Sequence, residues 1–206
     1  MGGSLYKELR HSGKKYNKRS KGTASRGCIP GRIDIDERPD IVEEKSRLGD
    51  WELDTIIGAG RKGAIVSMVD RATKLTKLAK VSQKTADEVG EALVARLAPI
   101  RQFVLTLTSD NGKEFAYHKR VSQALETNFY FAKPYHSWER GLNEHTNGLV
   151  RQYLPKGKCF NSVSEEDLMK IEILLNNRPR KVLNFKTPLE VFNCLSQGGS
   201  IVALHN

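Results

Sequence analysis

From about Asp34 onward the chain alternates short apolar runs with polar, Gly-containing or Pro-containing breaks, and the period within each run predicts its element. WELDTIIG (51–58) and GAIVSMVD (63–70), separated by a Gly-containing turn, predict a strand pair. KLTKLAKV (74–81) alternates well enough to make a third strand, so this stretch reads as a β-meander. Thr85-Ala-Asp-Glu88 has the spacing of a capping box. It opens a helix with apolar Val89, Leu93 and Leu97 at i, i+4 and i+8, stopped at Pro99. FVLTLTSD (103–110) predicts another strand, running into the turn Asp110-Asn111-Gly112.

A shorter helix over 113–126, a brief strand over 128–131 and a loop containing Pro134 follow. Ser137 is placed to cap a helix over 138–153, and Ser164-Glu-Glu-Asp167 to cap a last one. That last helix carries Leu168, Ile171 and Leu175 as its apolar stripe and has Pro179 beyond its end. The order is βββ-α-β-α-β-α-α. Three antiparallel strands followed by alternating strands and helices predict an α/β fold, a mixed five-stranded sheet flanked by helices. No internal repeat is visible.

Charge changes the picture mainly at the N-terminal end. The chain has 206 residues, a formal charge of +10 and a hydrophobic fraction of 38%. Nine basic residues and one acid, Glu8, lie between Met1 and Ile33, so this segment carries +8 of the +10 and the rest is close to neutral. The segment is rich in Gly and Ser and poor in β-branched and aromatic residues, which predicts an extended arm, either a DNA tether or a solubilising tail. The domain reading is a basic arm and linker over 1–39, a core over 40–195 and a short tail over 196–206, with Pro30 and Pro39 at the hinge.

There is no apolar run of about 18 residues and no apolar stretch near the N-terminus, so the sequence predicts neither a membrane span nor a secretory signal. A cytoplasmic, nucleoid-associated protein is expected. Cys28, Cys159 and Cys194 are too scattered for a disulfide framework or a C-x2-C zinc site, and the five histidines show no zinc-type pairing.

Phosphoryl transfer on divalent cations needs hard oxygen ligands converging from separate elements. Three carboxylates are placed for it: Asp54 inside the first strand among Trp51, Leu53, Ile56 and Ile57, Asp110 at the end of FVLTLT, and Glu144 within the 138–153 helix. Each also has an ordinary reading. Asp110-Asn-Gly is a common turn, Glu144 a solvated helix residue, and Asp54 a strand acid that faces water. Composition and period permit a metal site without establishing it.

Five ordered blocks carry the decision further. GDWELDTIIGAG (49–60), LTSDNGKEF (107–115), PYHSWERGLNEHTNGLVRQYLPKG (134–157) and LLNNRPRKVLNFKTPLEVF (174–192) resemble the successive blocks of bacterial transposases of the insertion-sequence-30 family. RGCIPGRIDIDERP (26–39) resembles the segment preceding them, so the likeness covers roughly 26–192. It implies a DDE catalytic core with an RNase-H-like, retroviral-integrase-like fold, with Asp54, Asp110 and Glu144 as the catalytic, metal-binding acids. Two positions depart from the family pattern: Leu53 stands where a glycine is expected, and Lys158-Cys159 follow PKG. Family members are longer and begin with helix-turn-helix segments, for which 1–33 lacks the apolar period, so the likeness implies a shortened chain.

The resemblance further implies Mg²⁺, for which Mn²⁺ substitutes, DNA partners in the form of transposon ends and target DNA, and a homo-oligomer in the active complex. Asp54 is the expected bridging ligand. Asn147 and Arg151, at i+3 and i+7 from Glu144, share its helix face and become candidate DNA contacts, with Lys14, Lys15, Lys18 and Arg19 of the arm. Glu52 shares the strand face of Asp54 and is a candidate auxiliary ligand. Asn111 either orients Asp110 or serves its turn. His136 and His145 stay outside the catalytic set. Tyr130, Phe131, Tyr135 and Trp138 read as core before stacking groups, and Arg178, Arg180 and Lys181 as phosphate contacts or a solvated turn. The expected activity is metal-dependent cleavage and strand transfer of transposon-end DNA. A structure-specific nuclease on the same fold, and a catalytically idle DNA-binding remnant that modulates a full-length transposase, remain open beside it.

Overall fold

The computed structural model describes residues 29–133 and 141–199. Six strands form one sheet: β1 (Ile33–Asp34), β2 (Asp50–Ile57), β3 (Ala64–Asp70), β4 (Thr76–Val81), β5 (Thr106–Ser109) and β6 (Asn128–Phe131), in the order β1-β6-β5-β2-β3-β4. The meander β2–β3–β4 is antiparallel, while β5 pairs parallel with β2, and β6 and β1 continue parallel. The helices are α1 (Ile41–Glu44), α2 (Ala86–Leu97), α3 (His118–Leu125), α4 (Gly141–Tyr153), α5 (Glu165–Asn176) and α6 (Pro188–Ser196).

Strand alternation sorts the residues of β2 between two cores. Trp51 and Leu53 join Val66, Met68, Leu107, Phe129 and Phe131 on one face, covered by Val89, Leu93 and Leu97 of α2 and Val121 and Leu125 of α3. Ile56 joins Ile65 and Leu78 on the other, covered by Leu149, Val150 and Leu154 of α4, Phe160, and Leu168, Ile171 and Leu175 of α5. Glu52 and Asp54 belong to this second face, under α4. The α2 and α5 stripes read from the sequence are therefore the buried ones.

The sheet has six strands where the sequence predicts five. The additional strand comes from the segment read as arm and hinge: Ile33 and Asp34 pair with Tyr130 and Phe131 at the sheet edge. Ile29, Ile35 and Arg38 of the same stretch are buried. Two residues are too few to show a period, so no pattern betrays this strand. The strand predicted over 103–110 shrinks to Thr106–Ser109, because Pro99 begins a run of tighter 3₁₀ turns through Phe103. The helix predicted over 113–126 divides into a 3₁₀ turn at Lys113–Phe115 and α3.

The caps explain where helices begin. Ser164 and Asp167 complete the predicted capping box of α5. At α2 only half of it forms: Thr85 accepts from the Glu88 N–H, but the Glu88 carboxylate turns to the N–H groups of Ser82 and Gln83, at 2.7 and 3.0 Å. Helix α6, absent from the predicted order, has a full box between Thr187 and Glu190 and a proline in its first turn. The signal Thr-Pro-Leu-Glu is in the sequence.

Helix α5 also runs beside β4, the strand at one edge of the sheet. The Asn176 side chain accepts from the Thr76 N–H and donates to the Thr76 carbonyl, both at 2.8 Å, and Glu172 accepts from the Leu78 N–H at 2.9 Å. Among the described residues, no helix is long and apolar enough to cross a membrane.

Candidate active site

The parallel pairing of β2 with β5 runs Asp50↔Thr106, Trp51↔Leu107, Glu52↔Thr108. Continued two residues beyond its last pair, this register would bring Asp110, just past the end of β5, level with Asp54 of β2. Both side chains are half-buried. Asp54 Oδ1 accepts from the Thr55 N–H at 2.8 Å, and Asp110 Oδ1 accepts from the Gly112 N–H at 2.9 Å. The two predicted aspartates thus belong to neighbouring parallel strands.

Helix α4 packs over β2 and β3 and is bonded to the first of these acids. Its Asn147 donates to Asp54 Oδ2 at 2.7 Å and accepts from Ser67 Oγ of β3 at 2.8 Å, so one amide ties the helix to two strands. Glu144 lies one turn earlier on the same helix, exposed. The three acids are carried by three elements around one part of the sheet. Even so, no three His, Cys, Asp or Glu side chains among the described residues are grouped closely enough to hold a metal ion.

Arg151, the predicted phosphate contact, is engaged with the protein. It donates to the Ile57 carbonyl at 2.7 Å, its guanidinium sits 5.3 Å from the centre of the Phe160 ring, and partial burial lowers its pKa. It braces the end of β2. Asn147 likewise serves Asp54 and Ser67. Lys14, Lys15, Lys18 and Arg19 lie outside the described residues, as do Tyr135, His136, Ser137 and Trp138. Tyr130 and Phe131 are buried core residues, in keeping with their preferred reading.

The turn after β5 is held by Glu114, which the sequence reading passed over, together with Gly112 and Asn111. Glu114 is buried, accepts from Thr55 Oγ1 at 3.0 Å and pairs with Lys84 at 2.6 Å. It therefore fastens the Asp110 turn to the residue beside Asp54. Gly112 makes room for it: a β-carbon there would stand 2.4 Å from a Glu114 carboxylate oxygen. The backbone of Gly112 is ordinary, with φ of −68°, so space and not conformation demands glycine. Asn111 donates to the Ala132 carbonyl and accepts from Arg32, so it ties the turn to β6 and to the N-terminal segment. In the sequence Glu114 is one acid in a polar turn, and nothing local marks it out.

Glu52 is not exposed beside Asp54 but buried, with 2% of its surface accessible, and faces Arg71, buried to the same degree, at 3.2 Å. It also accepts from the Asn143 N–H of α4 at 3.4 Å. Burial pushes its carboxyl up, opposed by the Arg71 guanidinium and the Asn143 N–H. Glu43 pairs with both Arg71 and Arg38, and Arg38 donates to Thr108 Oγ1 at 2.8 Å. Buried Glu52, Arg71 and Arg38, closed at the surface by the exposed Glu43, thus lie beside the acids and join β2, β5, α1 and the first turn of α4. Glu52 positions that turn, and the auxiliary-ligand reading has a buried ion pair in its place.

Comparison with known proteins sets this geometry in context. No protein-family model matches the chain. It is 53% identical over 97% of its length to the transposase for insertion sequence element IS4351 of Bacteroides fragilis, of which it covers 61%. It is 42% identical over 89% of its length to the transposase for IS1086 of Cupriavidus metallidurans, covering 54% of that protein. Against the transposase InsI for IS30A of Escherichia coli it is 35% identical over 89%, covering 47%. The chain therefore spans roughly half the length of these relatives. In structure it resembles a chain of the simian T-cell lymphotropic virus intasome complex, with TM-score 0.59, 19% identity and coverage of 81% of this chain and 59% of that one. The catalytic core domain of BIV integrase gives TM-score 0.52 at 22% identity, covering 68% and 91%. These likenesses establish the integrase-like, RNase-H-like fold. Over the part of those bacterial proteins that it spans, the chain is similar to insertion-sequence transposases, that of IS30A among them.

Proposed function

We propose that this chain is the catalytic core of a divalent-metal-dependent DNA transposase, which cleaves transposon-end DNA and joins it to target DNA, with Asp54, Asp110 and Glu144 as the metal-binding acids. The observation that carries the proposal is the parallel register of β2 and β5, which runs toward Asp54 and Asp110, with the helix that bears Glu144 pinned to Asp54 by Asn147. The donor chemistry fits: three carboxylates from three elements are the hard oxygen ligands that Mg²⁺ or Mn²⁺ takes. When bound, such ions supply charge stabilisation at the phosphate and make water or a DNA 3′-OH nucleophilic at neutral pH.

The protein's own part is positioning. Asn147 and the Thr55 N–H orient the Asp54 carboxylate, the Gly112 N–H orients Asp110, and Glu114 keeps the two strand ends in step. Glu52 and Arg71 hold the first turn of α4, and with it the backbone from which Glu144 projects. The names of the relatives and the intasome likeness support DNA as partner and an oligomer as the working assembly.

The test is Asp54→Asn, Asp110→Asn and Glu144→Gln, each assayed with Mg²⁺ and with Mn²⁺ on transposon-end DNA. Folded variants that lose both cleavage and joining are expected. Unchanged activity in all three would remove these residues from the site. Hydrolysed products without joined ones, from the unsubstituted full-length relative under the same conditions, would reduce the activity to that of a nuclease.

A further inference from the structure

The loop between α5 and α6 has features that the acids do not use. It turns back on itself around Arg180: the Arg180 N–H donates to the Lys186 carbonyl at 3.0 Å, while the Arg180 carbonyl accepts from Leu183 and Phe185, each at 2.9 Å. The Asn184 and Lys186 N–H groups reach Lys181 and Leu183, at 3.1 and 3.0 Å. A loop so closely bonded holds a fixed shape. That shape places Asn184 and Phe185 consecutively in the left-handed region, with φ of 51° and 63°. Asparagine tolerates this conformation, but a bulky side chain adopts it at a cost.

The outcome of that cost is exposure. Phe185 is 72% accessible and Val182 68%, the two most open large apolar side chains among the described residues. Four cations flank them in the sequence, Arg178, Arg180, Lys181 and Lys186, and no acid occurs from Arg178 to Leu189. Arg180 braces the loop by donating to the Leu175 carbonyl at 3.0 Å, and Arg178 donates to Gln152 of α4 at 3.2 Å. Lys181 is exposed and Lys186 half-exposed. An acid-free, positively charged loop that pays backbone strain to present an aromatic ring to solvent is complementary to a polyanion with flat apolar surfaces.

We propose that this loop is a DNA contact, in which Phe185 stacks on an unpaired base, Val182 packs beside it, and Arg178, Lys181 and Lys186 hold the flanking phosphates. The proposal rests on the reading of the chain as a DNA-acting enzyme and adds to it a binding element remote in sequence from the three acids. It concerns affinity for unpaired DNA near the reacting strand, not the chemistry.

The experiment measures binding of the full chain to a forked DNA carrying 2-aminopurine in its single-stranded arm, over a range of salt concentrations. Phe185→Ala is expected to weaken binding about tenfold and to abolish the stacking-dependent quenching of the probe, while Phe185→Trp retains both. Lys181→Ala with Lys186→Ala is expected to flatten the log–log salt slope by about 1.4 to 1.8. Variants that bind, quench and respond to salt like the parent, with thermal unfolding unchanged, would overturn the proposal. So would a loss of self-association in sedimentation with DNA affinity intact, which would make the loop a protein interface. A parent that binds no DNA at all would overturn both this proposal and the reading it rests on, whereas a parent that binds through the loop but never cleaves would spare the loop and sink that reading alone.

Discussion

Asn147 donates to Asp54 from a position one helical turn beyond Glu144, so the residue that fixes the strand acid also fixes the helix that carries the third acid. Substitution should therefore couple stability to activity. Asn147→Ala removes the bonds to Asp54 and Ser67 and should cost about 1–2 kcal/mol in urea unfolding. Metal-dependent cleavage should fall by much more than that loss of stability explains. Asn147→Asp should be worse in the absence of metal, since it sets a second carboxylate against Asp54.

Glu52 and Arg71 form a pair with almost no access to water. Glu52→Ala should destabilise the protein by about 3 kcal/mol, because it leaves a buried guanidinium with Glu43 as its remaining partner. Glu52→Leu combined with Arg71→Met should cost less than the sum of the single changes, since the double variant buries no unpaired charge. A double-mutant cycle in urea reads this directly. Additive costs would show that the two side chains act independently.

Gly112 is required by the carboxylate that fills the space over it. Gly112→Ala should displace Glu114 from Thr55 and Lys84, costing about 1–3 kcal/mol, and should lower cleavage by moving Asp110. Removing the obstruction tests the cause: Glu114→Ala with Gly112→Ala should unfold no earlier than Glu114→Ala alone. If the second substitution costs as much in that background, crowding by Glu114 is not the reason for the glycine.

Lys74 sits in the turn between β3 and β4 with its ammonium donating to the Arg71 carbonyl, and burial lowers its pKa from 10.5 to about 8. Lys45 and Arg71 press in the same direction, while Asp70 and Glu52 oppose it. A lysine whose pKa falls on folding binds its proton more weakly in the native state, so its contribution to stability is least favourable below pH 8 and improves as pH rises towards 10.5. Lys74→Met should flatten the rise of stability with pH in that window, as measured by urea midpoints at pH 7, 8, 9 and 10. An unchanged slope would mean that Lys74 does not titrate there.

Much of this architecture is legible in the sequence because it follows from period. The meander, the α2 and α5 stripes and the capping box at Ser164 are local patterns, and each folds as its spacing dictates. Asp54 and Asp110 are legible as candidates, and their adjacency follows from a parallel register that no single segment encodes. What escaped the sequence is long-range. Glu114 reads as one acid in a polar turn until Thr55 and Lys84 close on it, and Arg38 reads as part of a linker until it reaches Thr108 across the fold. Arg151 shows the converse: its spacing from Glu144 is local, while its contacts with the Ile57 carbonyl and the Phe160 ring come from distant segments.

Asn176 and Glu172 have a consequence beyond the packing of α5. By occupying the N–H groups of Thr76 and Leu78 and the Thr76 carbonyl, they act as a counterfeit neighbouring strand made of side chains. An incoming chain finds those groups of β4 already satisfied, and the two-residue strand at the opposite edge is too short to serve as a template. Copies of this protein are thus steered away from continuing one another's sheets and toward meeting through helices and loops. That leaves the sheet a closed unit, whose contacts with other molecules fall to its helices and loops.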